Sequence, residues 1–193
     1  NPKVQEFVYN VVDGMLTANP GIAFIKWDCN RMMTNMYSTY LKDKQSHLYI
    51  DYVNSLYGVL ERLRSKYPDL PIMLCSGGGG RVDYGALKYF TEFWASDNTD
   101  PLERIYMQWG YSYFFPAISV CNHVTSWGKQ SLKYKGDLYR LISPYKENRA
   151  ALMYVNQEKT KAVLFSYTLN TPYGETINRV KLQGLDPDKT YNI

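Results

Sequence analysis

The chain has 193 residues, of which 45% are hydrophobic, and its formal net charge at pH 7 is +4. This hydrophobic content is sufficient for a packed core and excludes intrinsic disorder, and no apolar run approaches the length of about 18 residues that a membrane-spanning helix requires. The positive charge is spread along the sequence without a lysine- or arginine-rich block, which argues against nucleic-acid binding.

Cysteine and histidine are too few and too scattered for a metal centre. Cys29, Cys75 and Cys121 are widely separated, a pattern typical of buried thiols and not of a disulfide framework or a zinc knuckle. A zinc site would lack ligands, because His47 and His123 are the two histidines of the sequence. We therefore predict no metal and no cofactor. Reduced thiols favour a cytoplasmic location, but buried ones persist elsewhere too, so the compartment stays open.

The first part of the sequence alternates between helical and strand patterns. Apolar residues at helical spacing predict helices, and short apolar runs rich in β-branched and aromatic residues predict strands. In chain order the pattern predicts helix 2–18, strand 22–27, helix 46–67, strand 71–75, helix 84–90, strand 93–96, helix 101–113 and strand 118–124. Such alternation is typical of parallel strands joined by helical crossovers, and it predicts the α/β class.

Two of the predicted helices begin with a capping signal. Ser46 is the predicted N-cap of the second helix, because a serine hydroxyl can accept a hydrogen bond from a backbone N–H of the first turn. Asp100 directly precedes Pro101, and proline is favoured at the first helical position, so N-capping is the most economical role for Asp100.

The pattern changes after Gly136. Short strand patterns separated by turn-forming residues cover residues 138–141, 150–155, 161–168 and 180–182. This arrangement predicts an antiparallel β-sandwich domain. We place the boundary between Lys135 and Asp137, which gives an α/β domain over residues 1–135 and a C-terminal antiparallel β domain over residues 136–193.

Four α/β strands are half the number in a (β/α)8 TIM-type barrel, which takes about 250 residues. The α/β part is therefore either a smaller open sheet or the second half of such a barrel. The chain starts at Asn1 without an initiator methionine and enters a helix at once, which favours the second half of a barrel within a longer protein. We expect the 193-residue fragment alone to be inactive and poorly folded.

Two aspartates lie at the ends of apolar strand patterns. Asp28 closes the segment 24–28, and Asp97 closes the segment 93–97. Parallel α/β barrels place catalytic groups at the carboxyl ends of their strands, on one rim. Two carboxylates on one rim predict glycoside hydrolysis, which uses a carboxylate pair, and Asp97 would be its general acid/base.

Lys26 stands two residues before Asp28, so both side chains point to the same face of a strand. The cation would hold the Asp28 carboxylate ionised, as a nucleophilic carboxylate requires. The alternative is a buried ion pair that stabilises the barrel interior.

Four consecutive glycines, residues 77–80, follow the predicted strand 71–75. They lack the Gly-Lys-Ser/Thr ending of a phosphate-binding loop. Glycine permits close approach of the backbone to a ligand, or unusual backbone dihedral angles, so the run is either part of a pocket wall or a flexible turn. Trp94, Trp109 and Trp127 could line a sugar site, although core packing is the simpler interpretation for each.

At these motifs the sequence resembles the α-galactosidases of glycoside hydrolase family 36. The resemblance rests on the ordered segments 26–31 (KWDCNR), 75–81 (CSGGGGR), 96–100 (SDNTD), 108–111 (QWGY) and 136–141 (GDLYRL). It implies a (β/α)8 barrel between a large N-terminal β-sandwich domain and a smaller C-terminal β domain, with a retaining mechanism and no metal. Asp28 would be the nucleophile and Asp97 the general acid/base.

The resemblance also implies the substrate contacts and the assembly. Lys26 and Asn30 would hydrogen-bond the galactose ring, and Cys75 with Gly77 would shape the floor of the site. The substrate would be a galactose-containing oligosaccharide such as melibiose or raffinose, and the protein would form a homo-oligomer, which is a tetramer in many members.

Two features differ from the family pattern. The N-terminal domain and the first barrel strands of the family have no counterpart in this sequence, and residues 131–135 join segments between which members carry a further strand and helices. Our hypothesis is that a stretch containing the eighth strand is missing between Tyr134 and Lys135.

Three alternatives to an α-galactosidase stay open. A transglycosylase or an α-N-acetylgalactosaminidase could use the same fold, and a catalytically silent carbohydrate-binding fragment belongs to another class. The presence of both Asp28 and Asp97 disfavours the silent fragment, because binding alone needs no acid/base pair.

Overall fold

A computed structural model describes residues 1–30, 34, 36–122, 136–170 and 179–192. The chain forms two compact units, Asn1–Trp94 and Ala95–Ile193. No helix among the described residues is long and apolar enough to cross a membrane. The three cysteines, all of them within the described ranges, form no disulfide.

The first unit contains a three-stranded parallel sheet and two long helices. Its elements in chain order are α1 (Pro2–Ala18), β1 (Ile25–Asp28), a 3-10 turn (Gln45–His47), α2 (Leu48–Lys66), β2 (Ile72–Cys75), a 3-10 turn (Ala86–Lys88) and β3 (Glu92–Trp94). β2 lies between β1 and β3 and pairs in parallel with both. Parallel neighbours need a crossover connection, and α2 supplies it between β1 and β2.

One face of this sheet is apolar and forms the core of the unit. Side chains alternate along each strand, and the register places Ile25 beside Ile72 and Leu74 beside Phe93. Ile72, Leu74 and Phe93 are at most 2% exposed. The buried side chains of α2 that belong to the same core are Val59, Leu60 and Leu63. Burial of each large side chain stabilises the fold by about 1.5–3 kcal/mol.

Polar contacts join α1 to α2 along their exposed sides. Arg62 Nη1 lies 2.9 Å from Glu6 Oε2. Lys66 Nζ lies 2.6 Å from Asp13 Oδ1, and the Tyr67 hydroxyl donates to the same oxygen at 2.7 Å. Exposed ion pairs contribute only about 0–1 kcal/mol each, so these contacts align the helices more than they stabilise them.

The second unit contains one α-helix and an antiparallel sheet. Its elements in chain order are α3 (Pro101–Tyr111), a 3-10 turn (Ala117–Ser119), β4 (Val120–Cys121), β5 (Asp137–Ile142), β6 (Arg149–Val155) and β7 (Ala162–Thr168). β6 pairs with β5 on one side and β7 on the other, in antiparallel register. The buried residues of this central strand are Ala150, Ala151, Leu152, Met153 and Val155.

The structure agrees with most of the predicted elements. The first helix has the predicted bounds, and Asp100 caps α3 as predicted, because its Oδ1 accepts a hydrogen bond from the Glu103 N–H at 2.9 Å. The predicted order, a parallel α/β part followed by an antiparallel β part, is confirmed.

Several details of the prediction are wrong. Ser46 does not cap α2, because it lies inside the 3-10 turn that precedes the helix, and the capping position is His47. Residues 84–90 form only one 3-10 turn, which the Asp83 carboxylate stabilises by accepting from the Ala86 N–H at 2.7 Å. Residues 180–182 form no strand.

Some predictions concern the residues outside the described ranges. The end of the strand predicted at 118–124, the domain boundary before Asp137 and the proposed gap between Tyr134 and Lys135 all involve residues 123–135. These stay predictions. Of the residues predicted as a strand at 118–124, the structure describes 118–122, and β4 covers Val120–Cys121.

We expect Asp100→Ala to lower the free energy of unfolding by about 1 kcal/mol, because the variant loses the side-chain acceptor at the start of α3. Urea unfolding of the complete protein, followed by circular dichroism, measures this change. Asp100→Asn keeps an acceptor and is the matched control, so its stability should stay within about 0.5 kcal/mol of the unsubstituted chain. Equal losses in the two variants would contradict the capping role.

Candidate active site

Asp28 lies at the carboxyl end of β1, on the sheet face opposite the apolar core. The pleat places Lys26 on the same face, and Lys26 Nζ is 3.9 Å from Asp28 Oδ2. The two side chains are 46% and 37% exposed, so within this unit the pair is not buried. An exposed pair contributes about 0–1 kcal/mol to stability. The reading of Lys26 and Asp28 as a buried stabilising pair therefore has no support in this unit.

Trp94 adds an aromatic ring to this polar face. Lys26 Nζ lies 5.7 Å from the centre of the Trp94 ring, within the range of a cation–π contact. Trp109, in contrast, is 1% exposed and belongs to the core of the second unit, as the simpler interpretation predicted. Trp127 lies outside the described residues.

The glycine run after β2 forms a tight turn whose backbone requires glycine. Gly77 and Gly78 have φ angles of 57° and 92°, in the left-handed region that other residues avoid. A Cβ at Gly80 would lie 2.7 Å from the Ser76 carbonyl oxygen. The Ser76 N–H donates to the Gly78 carbonyl at 2.8 Å, which closes the turn.

This turn is bonded to the loop that follows Asp28. The Gly77 N–H donates to Asn30 Oδ1 at 2.5 Å, and the Ser76 hydroxyl donates to the Cys29 carbonyl at 2.9 Å. The Cys29 N–H continues the ladder by donating to the Cys75 carbonyl at 3.0 Å. The structure therefore brings Asn30 and Gly77 together as neighbours of the end of β1.

Cys75 completes the predicted residues of the first unit. It pairs with Asp28 in the register between β1 and β2, and its exposed fraction is 0%. Five of the six predicted site residues thus gather at the carboxyl ends of two adjacent strands. They are Lys26, Asp28, Asn30, Cys75 and Gly77.

Asp97, in the second unit, is exposed in the loop before α3. Its neighbours order this loop. The Asn98 N–H donates to Ser96 Oγ at 3.1 Å, and the Asp100 N–H donates to Asn98 Oδ1 at 2.9 Å. Side chains that accept from backbone N–H groups two residues on are typical of such turns.

Arg104 contacts this loop, and the sequence analysis did not single it out. It is 0% exposed, and its Nη2 donates to the Ser96 carbonyl at 2.6 Å. Burial lowers the pKa of the Arg104 guanidinium, whereas the negative charge of Asp97 acts in the opposite direction. The signal available in the sequence was an arginine in the first turn of a predicted helix, directly after a loop that contains Asp97 and Asp100.

The described residues contain no group of three or more His, Cys, Asp or Glu side chains that could hold a metal ion. The chemistry that the residues of the first unit can support is that of a carboxylate at a strand end with a cation beside it.

Comparison with protein families identifies the class of protein. The family described as Melibiase matches residues 1–140, and the glycosyl hydrolase family 36 C-terminal domain matches residues 149–193. Both descriptions are of glycoside hydrolases. The chain belongs to glycoside hydrolase family 36.

The curated relatives are longer proteins. Alpha-galactosidase 1 of Pediococcus pentosaceus is 31% identical over 97% of this chain and 32% of its own length. An α-galactosidase of Lactobacillus acidophilus is 33% identical over 88% of this chain and 30% of its own length. The chain therefore spans about a third of these relatives.

The solved structure of an α-galactosidase from Geobacillus stearothermophilus, AgaB, shares the fold. It superposes with a TM-score of 0.89 at 26% identity, over 97% of this chain and 33% of that one. A variant of AgaA from the same organism, in complex with raffinose, has a TM-score of 0.87 over 96% of this chain and 33% of its own. These likenesses confirm the predicted fold class, part of a family 36 α/β barrel followed by the C-terminal β domain.

The alignment with the Pediococcus protein also contains gaps. It runs over 237 positions, more than the 193 residues of this chain. The relative therefore carries residues within the aligned region that this chain lacks. That the gap lies between Tyr134 and Lys135 stays a prediction.

We expect Gly77→Ala to lower the free energy of unfolding by about 1–2 kcal/mol, because alanine is strained at a left-handed φ. Steric overlap is not the cause, since a Cβ at Gly77 would meet nothing within 4 Å. Gly14→Ala, inside α1, also meets nothing within 4 Å and should instead stabilise by about 0.5–1 kcal/mol. Urea unfolding curves of both variants of the complete protein test the opposite signs; the same sign for both would contradict the strained turn.

Proposed function

We propose that the complete protein containing these 193 residues is a retaining α-galactosidase. It removes terminal α-linked galactose from oligosaccharides such as melibiose or raffinose. The observation that carries the proposal is the Lys26–Asp28 pair at the end of β1, in a chain whose curated relatives are named α-galactosidases. Structures of AgaA variants in complex with raffinose and stachyose support the choice of substrate.

In the proposed mechanism Asp28 is the nucleophile. Its carboxylate attacks the anomeric carbon while Asp97 protonates the departing glycosidic oxygen, so a covalent galactosyl-enzyme forms and the aglycone leaves as an alcohol. Asp97, now ionised, then takes a proton from water. The water oxygen attacks the anomeric carbon, releases galactose and restores the Asp28 carboxylate.

Lys26 and Asn30 are the proposed contacts to the sugar hydroxyls. An ammonium group has three N–H donors, so Lys26 can attract the Asp28 carboxylate and still bond a hydroxyl. Asn30 uses its Oδ1 to accept from the Gly77 N–H, which turns its NH₂ group, the donor end of the amide, away from that loop.

Cys75 and Gly77 are proposed to shape the floor of the site. Cys75 is completely buried directly beside Asp28 in the ladder, so it sets the depth of that surface. The space at Gly77 is open for 4 Å around the position of a Cβ, so a sugar ring could approach the backbone there.

The complete protein is also proposed to be a homo-oligomer, with a tetramer as the expected state. Light scattering coupled to size-exclusion chromatography measures the state directly. A monomer at the concentrations used in the activity assay would overturn this part of the proposal without affecting the rest.

We expect the complete protein to hydrolyse an aryl α-galactoside and its Asp28→Asn variant to lose at least about 10³-fold in kcat, because an amide cannot act as the nucleophile. Asp69→Asn, the same change at an exposed position, is the matched control and should keep full activity. No turnover by the unsubstituted protein would reject the proposal and favour other α-glycosides, N-acetylated galactosides or a binding role. Full activity in Asp28→Asn would reject the nucleophile.

Asp97→Ala should distinguish a general acid/base from a structural residue. With raffinose we expect kcat/KM to fall about 10²–10⁴-fold, and much less with an aryl galactoside whose phenolate leaves without a proton. Added azide should restore turnover of the aryl substrate by replacing water, and retention predicts an α-galactosyl azide.

The control for Asp97→Ala is Asp100→Ala, which removes a carboxylate from the same loop and the cap of α3. Asp100→Ala should lower the stability of the protein, but any change in its activity should not depend on the leaving group of the substrate. The same leaving-group dependence in both variants, or its absence from Asp97→Ala, would contradict the role of Asp97.

A further inference from the structure

We propose that Arg81 is a positioning residue for Asp28, acting through Ser76 and the Cys29 carbonyl. The inference rests on the proposed function, in which Asp28 is the nucleophile. Arg81 closes the segment 75–81 on which the family resemblance rests. The pattern of this segment predicts only that Arg81 braces the glycine run by pairing with Asp83, which gives it no part in the chemistry. Its contacts within the first unit point to that role.

The first step is a two-bond relay from Arg81 to the residue after Asp28. Arg81 Nε donates to Ser76 Oγ at 3.0 Å, and the Ser76 hydroxyl donates to the Cys29 carbonyl at 2.9 Å. A hydroxyl that accepts from a cation becomes a stronger donor, because hydrogen bonds in a chain polarise one another. The guanidinium also limits where the hydroxyl proton points, because the proton cannot lie on the side of the oxygen that accepts from Arg81.

The second step is the attachment of Arg81 to helix α2. Arg81 Nη1 donates to the Tyr52 hydroxyl, and the guanidinium carbon lies 5.2 Å from the centre of the Tyr52 ring, within cation–π range. The planar fork of arginine can serve both acceptors at once, which the single ammonium of lysine does less well. Arg81 therefore connects the loop after β2 to a long helix of the same unit.

The third step is the effect on Asp28. Cys29 is bonded through both of its backbone groups, the N–H to the Cys75 carbonyl at 3.0 Å and the carbonyl to Ser76. The peptide bond between Asp28 and Cys29 is planar, so fixing Cys29 limits the positions that the Asp28 backbone can take. Without Arg81 the Ser76 hydroxyl can rotate, and the end of β1 loses one of these two restraints.

The test is Arg81→Met in the complete protein, assayed with an aryl α-galactoside. We expect kcat per active site to fall about 10–100-fold with KM changed less than about twofold, because a nucleophile displaced by about 1 Å reacts more slowly while the sugar contacts stay. Active-site titration with a slow fluorinated galactoside counts the folded sites. Arg62→Met is the matched control; it removes an exposed arginine of α2 that pairs with Glu6, and kcat per site should not change.

A second measurement does not depend on activity. Hydrogen exchange should become faster at the Gly77 and Cys29 amides in Arg81→Met and stay unchanged in Arg62→Met. Arg81→Lys should recover part of kcat, since one donor can still reach Ser76. Tyr52→Phe replaces Arg81→Met if that variant does not fold. It keeps the ring and removes the hydroxyl that accepts from Arg81, and its expected loss in kcat is smaller.

The outcomes separate this inference from the function on which it rests. An unsubstituted protein without turnover, together with faster exchange in Arg81→Met, would overturn the proposed function and keep the relay. Unchanged kcat per titrated site and unchanged exchange at both amides would overturn the relay. A lower melting temperature with normal kcat per site would show that Arg81 stabilises the loop without positioning Asp28, and would also overturn the proposal.

Discussion

The candidate site depends on one backbone constraint, the left-handed turn at Gly77 and Gly78 that follows β2. This turn directs the Gly77 N–H to the Asn30 side chain and brings the Ser76 hydroxyl to the Cys29 carbonyl. Other residues are strained in that conformation, so glycine is required there for a structural reason as well as for the access it gives. Because the bonds join the loops after β1 and β2, the end of β1 and its carboxylate are held relative to the next strand.

One face of the parallel sheet stabilises the fold, and the opposite face carries Lys26 and Asp28 of the candidate site. Buried side chains such as Leu74 and Phe93 each contribute about 1.5–3 kcal/mol, whereas the exposed pair of Lys26 and Asp28 contributes at most about 1 kcal/mol. A cation and a carboxylate at this position are therefore poorly explained by stability. A register slip of one residue would exchange the two faces, so the apolar residues that hold β1 in register also determine where Asp28 points.

Local patterns predicted most of the fold, and contacts distant in sequence account for what they missed. Helical spacing gave the bounds of α1, but it could not show what covers its apolar face; Val4, Phe7 and Val11 are 55–68% exposed. Period-two spacing put Lys26 and Asp28 on one face. The bond from Asn30 to Gly77 spans 47 residues, so it has no signature in a short window of sequence. Arg104 is close in sequence to Ser96, but helical spacing does not show that its guanidinium turns inward to the Ser96 carbonyl.

The loops that carry Asp28 and Asp97 are held by different hydrogen bonds, but in both loops these bonds come from the residues next to the aspartate. The loop of Asp97 is ordered by bonds of its neighbours, in which Arg104 binds the Ser96 carbonyl and the Asn98 side chain accepts from a backbone N–H. The end of β1 is likewise held through the backbone of Cys29. A carboxylate that gains a proton or a covalent bond during catalysis loses its strength as a hydrogen-bond acceptor. Anchoring each loop through adjacent residues would let both carboxylates change state while these bonds persist, as the proposed double displacement requires.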